Sequence, residues 1–281
     1  MDESISIIGL GYVGGAHSSL LNKNDIEYNV CDINLKQGNF NYFNNVEDLI
    51  KYSEAKSNVH YIMICVPTPS DHEGNCDISI VKDILNKLNE NITKETYIII
   101  KSTLVPGTSQ MFNELFPKLN ILFSPEFLKQ KSYKEDIYNA KFIILGIPPS
   151  FNMTQYPKIL KVMRLFYKHN SCIEIYMKSY EEAELFKYTL NTYFGIKITF
   201  FNEIYDLCQK MNVDYQKLKE LFKLDQRVGE YGITVPGDHG RGYHGVCIPK
   251  EVSGMIKLQE KLGLSSELMS CVDKRNKDFR K

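Results

Sequence analysis

The chain has 281 residues, 43% hydrophobic and 24% charged, with 34 Lys plus Arg against 34 Asp plus Glu. At about 150 residues per domain this is the length of two domains of an ordinary globular protein. The mix excludes a disordered chain, a collagen-like repeat and a small disulfide scaffold. Zero formal net charge gives no broad electrostatic footprint for nucleic acid. The opening Met1-Asp2-Glu3-Ser4 is acidic and runs into a short apolar stretch, so no signal peptide is predicted. No run approaches the roughly 20 apolar residues that span a bilayer. The seven cysteines are scattered without a CxxC pair, which predicts reduced thiols in the cytoplasm and neither disulfides nor a metal site.

Strands are predicted over residues 4–10, 27–33, 59–66, 96–101, 121–123 and 141–147, short runs rich in Ile, Val and Tyr. Helix-length intervals or turn signals separate several of them. That rhythm predicts an α/β fold, a Rossmann-type doubly wound parallel sheet. The first strand runs into Gly9-Leu10-Gly11-Tyr12-Val13-Gly14, a GxGxxG string. Its glycines allow a tight turn and let the backbone approach a pyrophosphate seated on the next helix N-terminus. Asp32 ends the second strand at the spacing of a ribose-binding acid. A carboxylate there repels a 2′-phosphate and so favours NAD over NADP. A glycine turn beside a solvated aspartate is the plainer alternative.

Glu126, in Ser124-Pro125-Glu126-Phe127-Leu128, follows a strand and can face the carboxyl-end crevice where open α/β sheets bind ligands. An exposed loop glutamate is the other reading. A strand over 172–177 closes this half, giving a domain over 1–178. Residues 179–281 are predicted as all-α. Ser179 and Glu182 have capping-box spacing, and helix-compatible sequence runs on to Met211, interrupted only by Gly195. At 1.5 Å per residue that helix is about 50 Å long, a length that spans a domain junction or a subunit interface. Glu184, Lys187 and Asn191 share one of its faces. A solvated stripe gives that pattern too, but apolar neighbours such as Leu185, Phe186 and Leu190 allow a partly buried Lys187. A desolvated lysine suits a base or hydrogen-bond donor. Helices follow over 214–222, 250–262 and 265–277, with a glycine-rich loop over 229–245. Cys247 lies between this loop and a helix start whose first turn suits Pro249. The helix N-terminus and Lys250 favour its thiolate; the residues alone are equally compatible with an inert thiol.

Several ordered strings carry a resemblance: GLGYVG (9–14), CVPTP (65–69), KSTLVPGT (101–108) and SPEFL (124–128). ELFKYTLNTYFGIKITFFNE (184–203), DQRVG (225–229) and the segment 240–251 continue it. Together they resemble the UDP-glucose/GDP-mannose dehydrogenase family across almost the whole chain. The resemblance implies oxidation of a sugar-nucleotide C6 alcohol to a carboxylate with two NAD⁺, UDP-glucose being the favoured substrate. It makes Cys247 the nucleophile that forms a thiohemiacetal and then a thioester. Lys187 and Asn191 then stabilise oxyanions, Thr103 and Glu126 position water and handle protons, and Glu251 stands at the water-activating position. NAD would be held by Gly9, Gly11, Tyr12, Val13, Gly14, Asp32, Val66, Thr68, Ser102, Thr103 and Lys250. The UDP-sugar would meet Glu126, Phe127, Leu128, Lys187, Asn191, Arg227, Gly242 and Tyr243. Arg227 matches an arginine that reaches the neighbouring subunit's substrate, which implies a homodimer built along the long helix. No metal, nucleic acid or membrane partner is expected.

The chain departs from the family pattern at several points. Glu251 replaces the usual Asp, His244 a glycine, Val246 a smaller residue and Gln130 a common Glu, while Lys36 is shifted as a cofactor contact. The family's usual C-terminal UDP-binding domain is expected to be absent from these 281 residues. Other readings are a different sugar-nucleotide dehydrogenase (UDP-N-acetylmannosamine or GDP-mannose) and a β-hydroxyacid dehydrogenase. The latter shares the Lys–xxx–Asn pair and does not need Cys247. A nucleotide-binding protein without catalysis is the last.

Overall fold

The apolar runs of the first half assemble into one eight-stranded sheet in the computed structural model, which describes residues 3–168, 170 and 172–281. Met1 and Asp2, read above as part of an acidic start, lie outside the described residues. The chain divides into two units, Met1–Pro69 with Asp77–Lys187, and Ser70–Cys76 with Tyr188–Lys281.

The first unit runs β1 (Glu3–Ile8), α1 (Tyr12–Lys23), β2 (Asn29–Cys31), β3 (Asn41–Phe43), α2 (Val46–Lys56) and β4 (Val59–Ile64). It continues α3 (Ser79–Asn91), β5 (Glu95–Ile100), α4 (Thr108–Leu115), β6 (Asn120–Phe123), α5 (Tyr133–Tyr138), β7 (Phe142–Ile147), α6 (Tyr156–Phe166) and β8 (Glu174–Ser179). The strand order is β3-β2-β1-β4-β5-β6-β7-β8, with only the β6–β7 pair antiparallel. The direction of winding reverses between β1 and β4, where a doubly wound sheet opens its ligand crevice.

The sequence explains these elements. Tyr97, Ile98, Ile99 and Ile100 of β5 are all buried, the continuous apolar run of a parallel strand covered on both faces. Val81, Ile84, Leu85 and Leu88 form the buried stripe of α3, and Ile159, Val162, Met163 and Phe166 repeat that spacing on α6. Helices α2, α3 and α4 cover one face through Leu49, Leu85 and Phe112. Helices α1, α5 and α6 cover the other through Leu20, Ile137 and Val162. Each such side chain contributes about 1.5–3 kcal/mol on burial, so the two layers fix the sheet and with it the strand ends.

Two expectations shift. The strand predicted over 27–33 pairs only over Asn29–Cys31, and β3 was not predicted. Both are three-residue strands, too short to show a period. The last strand starts later than 172, and its burial alternates because β8 is the end strand of the sheet.

Helix α7 (Tyr180–Met211) starts in the first unit and continues into the second. Its 32 residues rise about 48 Å. The predicted capping box is formed: the Ser179 N–H donates to Glu182 Oε2 at 2.9 Å, and the Glu182 N–H to Ser179 Oγ at 3.2 Å. The second unit adds α8 (Tyr215–Leu224), α9 (Cys247–Lys261) and α10 (Glu267–Phe279). Gly195 lets α9 pack closely on α7, because a Cβ there would lie 2.9 Å from Val252 Cγ2. Helix α9 begins three residues before the predicted start at 250. Pro249 fits inside its first turn because that turn has no intrahelical acceptor for its missing N–H.

Candidate active site

In the first unit, β1 ends in the glycine loop. Gly9 has φ +90°, and a Cβ there would lie 2.8 Å from the Cys65 carbonyl oxygen. At Gly14 a Cβ would lie 2.0 Å from the Gly9 carbonyl oxygen, so the loop can turn directly into α1 only with glycine. Gly11 has a different reason. Nothing lies within 4 Å of the point its Cβ would take, so a side chain would fill the space over the first turn of α1. That cradle, at a helix start capped by no side chain, fits a pyrophosphate.

Asp32 fastens this loop to the end of β2. Its Oδ2 accepts the Leu10 N–H at 2.7 Å and its Oδ1 the Asn34 N–H at 2.8 Å. Each carboxylate oxygen keeps a second acceptor position, which fits a ribose hydroxyl. Across the crevice, Ser102 Oγ donates to the Val66 carbonyl at 2.7 Å and Thr68 Oγ1 to the Thr103 carbonyl at 2.9 Å. Gly9, Val66, Thr68, Ser102 and Thr103 therefore converge at the carboxyl ends of β1, β4 and β5. Tyr12 is partly exposed beside the Tyr133 ring, Val13 packs on the core, and Lys36 is half-buried.

A second cluster in this unit surrounds Glu126. Lys187 Nζ donates to the Glu126 carbonyl at 2.7 Å and lies 5.4 Å from the Phe127 ring centroid. The Glu126 carboxylate points the other way. It meets His17 Nε2 at 2.8 Å and forms an ion pair with Lys101. Burial alone would raise its pKa, but the Lys101 charge and the His17 contact hold it down at about 2. Phe127 packs between Phe142 and Phe186, and Leu128 packs on the core of the opposite sheet face. Glu184, fully buried, reaches the loop that carries Ser102 and Thr103. Its carboxylate accepts the Gly107 and Ser109 N–H groups, each at 2.7 Å, at the start of α4. Burial pushes its pKa up to about 7 against those two hydrogen bonds.

His17 and Lys101 were not assigned from sequence. Lys101 carried a signal, since a charge ending the apolar strand Tyr97-Ile98-Ile99-Ile100 needs a buried partner. His17 carried none, because its partner is 109 residues away.

In the second unit Cys247 is half-buried and is the first residue of α9. Val246, at the N-cap, has no side-chain acceptor, so the positive end of the helix lies at the thiol. Lys250 is half-buried and Glu251 fully buried in the same helix start. Ile248 faces Gly195, which sets this first turn beside the turn of α7 that begins at the half-buried Asn191. Tyr243 puts its ring into the core with Ile248, Val252 and Val272. Asn276 holds its backbone, accepting the Tyr243 N–H at 2.6 Å and donating to its carbonyl at 3.1 Å. Gly242 has φ +80°, and a side chain there would strike Asn276 Oδ1 at 2.4 Å. Arg227 is exposed, its Nε donating to Asp225 Oδ1 at 2.9 Å. Among the described residues no cluster of three His, Cys, Asp or Glu could hold a metal. No described helix is long and apolar enough to cross a membrane.

Residues 39–169 match the NAD binding domain of the UDP-glucose/GDP-mannose dehydrogenase family, and residues 181–278 match its central domain. The chain belongs to that family. Its cofactor is NAD. This dehydrogenase family member is 31% identical over 230 residues to the UDP-glucose 6-dehydrogenase of Rickettsia conorii, covering 80% of this chain and 51% of that protein. Its fold is similar to that of a UDP-glucose dehydrogenase from the hyperthermophilic archaeon Pyrobaculum islandicum. The TM-score is 0.80 at 22% identity, over 99% of this chain and 68% of that one. A UDP-D-ManNAc dehydrogenase from Pyrococcus horikoshii gives 0.79 at 21% identity, over 98% and 68%. The chain spans about half the length of the Rickettsia relatives it matches.

Proposed function

We propose that the chain is a UDP-glucose 6-dehydrogenase, converting UDP-glucose, two NAD⁺ and water to UDP-glucuronate and two NADH. The observation that carries this reading is the thiol of Cys247 at the open start of α9, in a chain whose other unit is an NAD-binding domain. A dehydrogenase that stops at a ketone or aldehyde has no use for a thiol there; one that goes on to a carboxylate does.

NAD, when bound, accepts the hydride in each of the two oxidations. The protein's own residues do the rest. The hydroxyl proton of the substrate leaves to solvent, and the Lys187 ammonium, held on the Glu126 carbonyl, and the Asn191 amide donate to the oxygen as it becomes alkoxide-like. In the aldehyde formed by the first oxidation, Cys247 Sγ bonds to C6 and the oxygen takes a proton, giving a thiohemiacetal. Loss of the second hydride and that proton leaves a thioester. Water positioned by Thr103 then adds to the carbonyl carbon, Glu251 takes up its proton, and the C–S bond breaks to release the carboxylate and restore the thiol. A reducing cytoplasm belongs to this reading, since seven scattered cysteines without a CxxC pair suit it.

The similar TM-score to a UDP-ManNAc dehydrogenase makes a neighbouring sugar nucleotide the second reading. Initial rates of NADH formation with UDP-glucose, UDP-N-acetylmannosamine and GDP-mannose decide between them. UDP-glucose is expected to lead in kcat/KM by about tenfold or more, the scale of one buried polar group left unsatisfied, about 1–3 kcal/mol. A lead by either competitor contradicts the substrate assignment.

The reading includes a homodimer. Tyr193, Phe200 and Leu207 recur every seven residues along α7, each about half exposed (48%, 53% and 52%), an apolar seam suited to a second copy of the helix. Sedimentation velocity is expected to give a dimer that Phe200→Glu disrupts; a monomeric wild type contradicts it.

A further inference from the structure

Two groups of Glu126 are in use at once. Its carbonyl accepts Lys187 Nζ at 2.7 Å. Its carboxylate is turned into the unit, where Oε1 meets His17 Nε2 at 2.8 Å and the Lys101 ammonium. Lys101 donates in turn to Ser124 Oγ at 2.9 Å, two residues before Glu126. The side chains of His17, Lys101 and Glu126 are only 1%, 2% and 12% exposed.

Lys101 supplies the positive charge of this cluster. Burial lowers the pKa of His17, opposed by Glu126, so the ring is a neutral donor through Nε2–H. Its Nδ1 has no partner among the described residues. The Glu126 carboxylate faces a buried lysine and a buried histidine, and it is ionised. Breaking one member of a buried ion pair is costly, which holds the 124–126 backbone in place and with it the oxygen that receives Lys187.

We propose that His17, Lys101 and the Glu126 carboxylate form a buried brace that positions Lys187 through the Glu126 carbonyl. His17 stands on α1, three residues beyond Gly14, the last glycine of the loop, so the brace also ties the dinucleotide helix to the support of Lys187. The role given to Lys187 rests on the dehydrogenase reading. The brace itself does not.

Lys187 can be followed without turnover, by its rate of acetylation with acetic anhydride measured by peptide mass against the exposed Lys118. His17→Leu removes the donor and keeps an apolar body. Lys187 acetylation is then expected to rise about fivefold, the factor one lost hydrogen bond supplies, with kcat falling more than KM changes. His17→Gln, which returns an amide N–H near the Nε2 position, is expected to restore wild-type protection. If His17→Leu fails to fold, the paired variant Lys101→Met with Glu126→Gln tests the same point without a lone buried charge. In that variant Lys187 acetylation is expected to rise. Unchanged Lys187 protection in the folded variants overturns the brace. A wild type that turns over no sugar nucleotide defeats the dehydrogenase reading, and the acetylation rates still decide the brace.

Discussion

Cys247→Ala is expected to stop carboxylate formation, lowering it on the order of 10⁴-fold or more, the scale of losing a covalent nucleophile. The reason lies in the second oxidation. An aldehyde carbon has no hydride to give up readily until a nucleophile has made it tetrahedral, and the Cys247 thiol is that nucleophile. The first oxidation needs only the alcohol, the cofactor and the donors Lys187 and Asn191. The variant should therefore release at most one NADH per UDP-glucose, with aldehyde and no UDP-glucuronate on chromatography. Cys247 is half-buried and opens a helix, where alanine is well tolerated, so the fold should survive and the loss be chemical. UDP-glucuronate formed by the variant at the wild-type rate would remove the thiol from the mechanism and favour single-step dehydrogenase chemistry.

The second large effect is on stability, at Glu184. Its folded pKa is raised from the ordinary 4.5 to about 7, chiefly by burial. A carboxyl group with a raised folded pKa holds its proton more tightly in the native than in the unfolded chain. Its contribution to stability is then complete below about pH 4.5 and is lost as pH rises through 7, amounting to on the order of 3 kcal/mol. Glu184→Gln cannot titrate. It keeps one acceptor oxygen for the Gly107 or Ser109 N–H and removes the buried charge. Urea unfolding at pH 5 and pH 8 should show the wild type losing that stability and the variant losing much less. Equal losses in the two proteins would mean that Glu184 stays ionised across this range, stabilised by its backbone donors.

What the sequence revealed and what it concealed follow from how far apart the interacting residues are. The glycine loop was legible because Gly9 and Gly14 answer to local demands, a positive φ and a close backbone approach. The Ser179–Glu182 box was legible because its partners are three residues apart. The start of α9 was nearly legible, its boundary blurred by a proline that the first turn accepts. The pair Asn29–Cys31 and Asn41–Phe43 was obscure because three residues show no period. Tyr243, expected at the substrate, has its ring in the core and its backbone on Asn276, 33 residues further on. No local pattern announces such a clamp. The segment Ser70–Cys76 belongs to the second unit, where Ser253 Oγ donates to the Gly74 carbonyl at 3.2 Å across 179 residues of sequence. Glu126 was found from its place after a strand, but the direction of its carboxylate depends on His17 and Lys101, which only the folded sheet brings near.

The stoichiometry of the reaction tests the central claim most directly. With UDP-glucose limiting and NAD⁺ in excess, absorbance at equilibrium and chromatography of the sugar nucleotide give NADH formed and product made. Two NADH and one UDP-glucuronate for each UDP-glucose consumed is the predicted result. One NADH per sugar, with the product left as an aldehyde or ketone, or no turnover at all, would contradict it.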